Sequence, residues 1–277
     1  VDLPDSYLDE SQSLRRTFRG LAKWAAGESR RLVLNHGRAI ERLLERADAV
    51  VCSTDEQATR ISRHSDNVHP ILDLHSEIEV LRPTINDGTG LDIIWEGLVA
   101  TLPAVQQILP ALRSLSDRCE LRLHLVTDLR HQRYMNRFRT YLTEDIVADW
   151  GIDVRLHQWS VDTLAEVAGR CDIAVVPVNL SDPMAVGKPE NRMRIFWRLG
   201  LPVVASPSPA HDRATSLAGM GGQVLCATSD DWKRVLERLY KWPAERLEIA
   251  EAGQAVALSV YSDGSLASRW DRLFGSL

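Results

Sequence analysis

The hydrophobic positions of this chain follow two patterns. Over residues 13–46 they recur at helical spacing: Leu14, Phe18, Leu21 and Ala25 share one face, and Leu32, Ile40, Leu43 and Leu44 continue it. Further on they gather into short apolar runs that read as strands. These are Ala49 to Cys52, Val68 to Leu72, Leu91 to Trp95, Leu121 to Val126, Val154 to His157, Cys171 to Pro177, Leu201 to Ala205 and Gln223 to Cys226. Between them the spacing predicts helices over Glu56 to Arg63, Pro103 to Leu115, residues 131–143, Val161 to Gly169, Asn191 to Leu199 and Asp231 to Tyr240. Ser53-Thr54-Asp55 stops the first run, and Thr54 or Asp55 can cap the helix that follows.

Strand and helix alternate across residues 91–240, which predicts an α/β fold with a Rossmann-like parallel sheet covered on both faces. The 171–177 and 201–205 strands are nearly unbroken apolar runs, whereas 121–126 alternates and is expected nearer an edge. Right-handed crossovers place the C-terminal ends of such strands on one edge, where the ligand site lies. Residues 78–90, with Pro83, Asn86, Asp87, Gly88 and Gly90, read as a linker between two domains.

Composition narrows the function classes. Lys and Arg total 33 and Asp and Glu 38 in 277 residues, a net charge of -5 that gives no support to nucleic-acid binding. No stretch approaches the roughly 20 apolar residues of a membrane span. Val1-Asp2-Leu3-Pro4 is not a signal peptide, and Cys52, Cys119, Cys171 and Cys226 lie too far apart for a disulfide scaffold or a zinc knot. A reducing, cytoplasmic setting is the expectation. Eight tryptophans show no repeat period and are expected to pack cores and domain interfaces, with Trp95 at a strand end the one to follow. Arg15, Arg16, Arg19, Arg30, Arg31, Arg38, Arg42 and Arg46 make the 13–46 helices locally basic, as a solvated face or as a patch for an anionic partner.

The densest loop is Ser181-Asp182-Pro183-Met184-Ala185-Val186-Gly187-Lys188-Pro189-Glu190-Asn191-Arg192, between a strand and a helix. Pro189 suits a first helical turn, whose free amides and dipole favour an anion, and Lys188 adds a positive charge. Glu190 and Arg194 form an i,i+4 pair that steadies the helix. Gly-Lys-Pro-Glu-Asn is not a GxxxxGK[ST] phosphate loop, and no GxGxxG follows a strand, which argues against an ATPase or a dinucleotide oxidoreductase. HExxH and GxSxG are absent, and the eight histidines show no metal spacing.

The succession from Cys171-Asp172-Ile173-Ala174-Val175-Val176-Pro177 through Gly187-Lys188-Pro189-Glu190-Asn191-Arg192 to Gly200-Leu201-Pro202-Val203-Val204-Ala205-Ser206 resembles the nucleotide-sugar half of GT-B glycosyltransferases. It looks closest to the retaining, glycogen-synthase-like (family-four) group. Ala47 to Thr54 resembles the last strand of that group's N-terminal domain, and Tyr261 to Phe274 its terminal helix. The resemblance implies a GT-B architecture with a truncated N-terminal domain over 1–85, a donor-binding Rossmann-like domain over 86–255 and a helix over 256–277 that crosses back.

The resemblance also implies site roles. Lys188, Glu190 and Asn191 would face sugar and diphosphate as the catalytic set, with Arg192 close behind. Glu96 and Gly97 would lie near the diphosphate, Thr127 and Asp128 near the nucleotide, and Trp159 and Ser160 around the base. Ser53 and Thr54 would face the cleft from the N-terminal domain. The implied substrates are a nucleotide-diphosphate sugar and an unidentified acceptor, with no cofactor and no metal. Such a site answers the charge that develops on the leaving diphosphate with cations and amides. Two features depart from the group: its Glu-x7-Glu pair falls on Gly187 and Ile195, and the loop from Glu96 to Thr101 lacks the usual Arg and Lys. A catalytically inactive binding or scaffold relative is therefore the alternative, and a nucleotide-sugar epimerase of similar architecture a third reading. Two full domains need about 300–350 residues. The first would here occupy roughly 80, which predicts a fragment or a cut-down domain that pairs with a second copy or a partner chain.

Overall fold

The structure, a computed structural model, describes residues 1–9, 27, 35–85, 90–133 and 139–276. Most of the expected 13–46 helical region, including Trp24 and the arginines from Arg15 to Arg31, lies outside the described residues, as do Asn86, Asp87 and Gly88 of the expected linker.

In chain order the elements begin with β1 (Asp2–Leu3), α1 (His36–Leu44), β2 (Val50–Cys52), α2 (Asp55–Ile61) and β3 (Val68–Pro70). There follow β4 (Gly90–Glu96), α3 (Leu102–Ser116), β5 (Glu120–Thr127), β6 (Arg130–Arg133), β7 (Arg139–Leu142), α4 (Thr143–Val147), β8 (Asp153–Gln158) and α5 (Val161–Ala168). The rest are β9 (Ile173–Val176), α6 (Pro183–Val186), α7 (Asn191–Arg198), β10 (Val203–Ala205), α8 (Pro209–Leu217), α9 (Ser229–Lys241), α10 (Pro243–Leu258) and α11 (Asp263–Ser276). They form two compact units: a smaller one of Val1–Asp73, Ser181–Pro189 and Leu266–Leu277, and a larger one of Leu74–Leu180 and Glu190–Ser265. Among the described residues no helix is long and apolar enough to cross a membrane.

The smaller unit is built on a three-stranded parallel sheet in the order β1-β2-β3. β2 is apolar throughout because both its faces are covered. Val50 and Cys52 pack with Leu3, Leu44 and Ile61, while Ala49 and Val51 pack with Ile71 and with Leu273 of α11. Thr54 caps α2 by accepting from the Gln57 amide.

The larger unit carries a five-stranded, all-parallel sheet in the order β10-β9-β4-β5-β8, the expected Rossmann-like layer. The chain leaves β4 toward β5 and β8, then returns across it to β9 and β10. The central strands are buried on both faces, and Trp95, Trp197 and Phe196 are its largest fully buried side chains. α9 starts with a complete capping box between Thr228 and Asp231.

β5 lies one strand in from the β8 edge, in keeping with its alternation, but its polar positions are not simply solvated. Arg122 shares a sheet face with Asp92 and grips its carboxylate with two bonds of 2.7 Å, and His124 Nε2 lies 2.8 Å from the same carboxylate. His124 Nδ1 continues to His157 Nε2 at 3.0 Å. A second carboxylate, Asp172, accepts from the Asp92 amide and from Arg246, so these interior charges are paired.

Two sequence expectations are corrected. Where a helix was expected over 131–143, β6 and β7 form an antiparallel hairpin, with His131 stacked on Tyr141 and Thr143 N bonded to Leu129 O. Cross-strand pairing and ring contact outweigh the helical spacing of that stretch. Where a strand was expected over 223–226, Gly221–Val224 winds into a 3-10 turn. Only Leu225 then bridges to Ala205, supported by Cys226 N to Ala205 O at 2.8 Å. α10 was not foreseen at all. Its buried positions include Ala250, Gly253 and Ala257, and Gly253 lies against the Trp197 indole.

Gly200, which ends the turn after α7, has φ +73°, and a Cβ there would sit 2.8 Å from Pro83 N and 2.9 Å from Leu81 O. Gly219 has φ +69° but open space around it. Gly200→Ala should therefore cost more than about 2 kcal/mol in urea unfolding, and Gly219→Ala about 1 kcal/mol. Equal costs would show that Gly200 is needed only for its backbone angle.

Candidate functional site

The C-terminal ends of the five strands in the larger unit carry most of the residues singled out from the sequence. β4 ends at Glu96-Gly97, β5 at Thr127-Asp128 and β8 just before Trp159-Ser160. The order β10-β9-β4-β5-β8 reverses direction between β4 and β9, and at such a reversal the loops part and leave a crevice.

Arg192, on the first turn of α7, reaches this point: its Nη1 donates to Glu96 O at 3.3 Å. Burial lowers its affinity for a proton, and the Glu96 carboxylate opposes that shift. Burial in turn raises the Glu96 pKa, against the pull of Arg192 and of a hydrogen bond with the Trp159 indole. The desolvated guanidinium is thus only partly balanced, which leaves the crevice attractive to an anion. Gly97 is required beside it because a Cβ would meet the Trp95 ring at 2.7 Å. Thr127 is fully buried, and its hydroxyl donates to Gly97 O at 2.6 Å, so it holds the β4 loop. Trp159 is tied to Thr127 through its backbone amide and is 46% exposed, which leaves ring area for stacking.

The remaining candidates in this unit do other work. Asp128 accepts from Gln158, and Ser160 caps α5 through the Thr163 amide. Glu190 is the N-cap residue of α7, so Pro189 precedes the helix instead of opening it. The Glu190 side chain makes no cap bond. It is buried, accepts from the Tyr261 hydroxyl at 2.9 Å, and burial raises the Tyr261 pKa. Asn191 Oδ1 accepts from Arg194, whose guanidinium lies 5.0 Å over the Tyr261 ring. The start of α7 therefore has no side-chain cap. An uncapped helix start beside a cation suits a negatively charged oxygen.

Lys188, Ser53 and Thr54 belong to the smaller unit, where they gather around α6. Asp182 caps that short helix, and Gly187 ends it. The Thr54 hydroxyl and the Gln57 amide both donate to Gly187 O, at 3.4 and 3.1 Å. Ser53 Oγ donates instead to Pro4 O, and Lys188 Nζ lies 3.8 Å from the Asp5 carboxylate. Among the described residues no group of three or more His, Cys, Asp or Glu could hold a metal ion.

Sequence reasoning missed Gln57, Tyr261 as a partner of Glu190, and His211. His211 is buried on α8, and its Nδ1 lies 2.8 Å from Ser206 O, just past the end of β10. Gln57 alone carried a local signal, a Gln three residues after the capping Thr54. The contacts of Tyr261 and His211 are long-range or depend on burial.

No family model matches the chain, and neither does any curated protein. Solved structures do. Sucrose-phosphate synthase from Thermosynechococcus elongatus aligns with TM-score 0.66 at 16% identity, over 93% of this chain and 65% of that one. WaaG, a glycosyltransferase involved in lipopolysaccharide biosynthesis, aligns with TM-score 0.61 at 14% identity, over 95% and 72%. Anabaena HepE, solved with UDP and glucose, aligns with TM-score 0.64 at 13% identity, over 87% and 66%. Against TarM of S. aureus the chain spans 46% of the length, about half. The chain thus has the GT-B fold, two parallel sheets flanked by helices with the smaller one N-terminal.

Burial pushes the His211 pKa down to about 4 from its ordinary 6.5. Below pH 6.5 the unfolded chain takes up a proton that the native state refuses until about pH 4. Stability is therefore full above pH 6.5 and falls by about 3 kcal/mol on the way down to pH 4. Urea unfolding across that range should show a shallower decline for His211→Gln than for the parent; identical slopes would mean that His211 is not held neutral.

Proposed function

We propose that this chain binds a nucleotide-diphosphate sugar in the crevice at the β4–β9 reversal and is the donor-binding part of a retaining glycosyltransferase. The observation that carries the reading is Arg192, desolvated and partly neutralised, at the uncapped start of α7. The GT-B fold supports it, as do similar structures solved with UDP.

In this reading the α7 amides and Arg192 receive the diphosphate, and Trp159 packs on the base. Asn191 faces the sugar, Glu190 supports the helix start from its bond to Tyr261, and Lys188, three residues before Asn191 in the chain, adds a second cation. As the bond from the sugar's anomeric carbon to the diphosphate oxygen breaks, charge grows on that oxygen. Prepositioned amides and cations stabilise it there more than in the ground state. An acceptor hydroxyl entering on the leaving-group face would pass its proton to the departing diphosphate. The second reading, an inactive binding relative, is favoured by Gly187 and Ile195 standing where the family group carries its two glutamates.

Calorimetric titration with UDP, GDP and ADP, and with their glucose conjugates, tests the reading. At least one pair should bind below millimolar concentration. Arg192→Ala and Lys188→Ala should each weaken that binding about tenfold, or about 1.4 kcal/mol. No binding by any of them at millimolar concentration removes the donor site. Binding without release of free nucleotide, from any donor and acceptor tried, selects the inactive relative.

A further inference from the structure

We propose that Gln57 is a positioning residue for Lys188. The inference rests on the reading above, in which Lys188 acts on the donor's diphosphate. Gln57 is the third residue of α2 and is only 3% exposed. Both ends of its amide are engaged in different directions. Oε1 accepts from Ser53 N at 2.8 Å, which anchors the group to the end of β2, and Nε2 donates to Gly187 O at 3.1 Å. Thr54, which caps the same helix, sends its hydroxyl to the same carbonyl at 3.4 Å. On the other side of that carbonyl's peptide the Lys188 amide donates to Ala185 O at 3.4 Å, and the preceding Gly187 amide donates to Pro183 O at 3.0 Å.

The Gly187 carbonyl belongs to the peptide that joins Gly187 to Lys188. Fixing that carbonyl fixes the plane from which the Lys188 backbone departs. The side chain itself is held loosely: Nζ stands 3.8 Å from Asp5, with both side chains about one third exposed. An exposed pair at that distance is weak and yields to a better anion. The chain thus supplies a rigid base with a movable cation, and Gln57 supplies the rigidity. Only an amide can do this. It must accept from Ser53 and donate to Gly187 at once, and a carboxylate of the same shape would set oxygen against oxygen.

Gln57→Glu tests the idea in the full chain, with UDP-glucose, or the best-binding donor from the titrations above, as the probe. The variant should bind the probe about tenfold more weakly in the parent and less than twofold more weakly in a Lys188→Ala background. A second readout needs no ligand. The chain has four lysines, Lys23, Lys188, Lys233 and Lys241, so selective 15N-lysine labelling gives a spectrum of four backbone amides. The Lys188 amide, assigned by its disappearance in Lys188→Arg, shares its peptide with the Gly187 carbonyl and should be the one that shifts. If Gln57→Glu does not fold, Gln57→Asn, too short to reach Gly187, takes its place with the same expectations. Unchanged affinity, an equal loss in both backgrounds, or an unmoved Lys188 amide overturns the role of Gln57 while the donor site stands. If Lys188→Ala alone binds the probe as tightly as the parent, the donor role of Lys188 fails, and this inference falls with it.

Discussion

The order of five parallel strands is the constraint from which the rest of the larger unit follows. β4 is laid down first, and the chain adds β5 and β8 on one side before it crosses back to add β9 and β10 on the other. Loops leaving β4 and β9 must then run in opposite directions, and no packing choice closes the space between them. Apolar burial on both faces of these strands keeps the sheet in that order. The position of Arg192 on the Glu96 carbonyl answers to the crevice that the order creates.

The loop after β9 is where structure and chemistry come closest. Its first part, through Pro189, is organised by the smaller unit, where α6 is a capped turn whose final carbonyl takes two donors from α2. Its second part starts α7, and there the would-be capping residue, Glu190, turns away to Tyr261. One short stretch of chain therefore has a tightly bonded backbone at one end and a helix start without a side-chain cap at the other.

Much of the fold was legible because the apolar contrast along the chain was strong. The runs Ile173 to Val176 and Val203 to Ala205 could only be buried strands, and Ser53-Thr54-Asp55 announced a capped helix. Legibility failed where the contrast was weak or misleading. α10 packs through alanine and glycine, whose burial leaves little periodic signal. The β6–β7 hairpin rests on pairing between positions about ten residues apart, such as His131 with Tyr141, while a helical period is a local property. Residues 223–226 had strand composition, but a glycine-led 3-10 turn took Gln223 and Val224 and left a single bridge at Leu225.

The site divides along the same line. By itself the sequence determined the residue types at the strand ends, the Gly-Lys-Pro-Glu-Asn-Arg succession of the 181–192 loop and the alternation that builds a parallel sheet, because these depend on neighbours along the chain. Only the tertiary structure decided that Arg192 would lie on the Glu96 carbonyl, that Glu190 would turn to Tyr261 and that Gln57 would hold Gly187. Each of these joins residues about 70 to 130 positions apart. Hydrogen bonds and desolvation act over a few ångströms of space, whatever the separation in sequence, so their outcome is set by which strands and helices come to lie side by side.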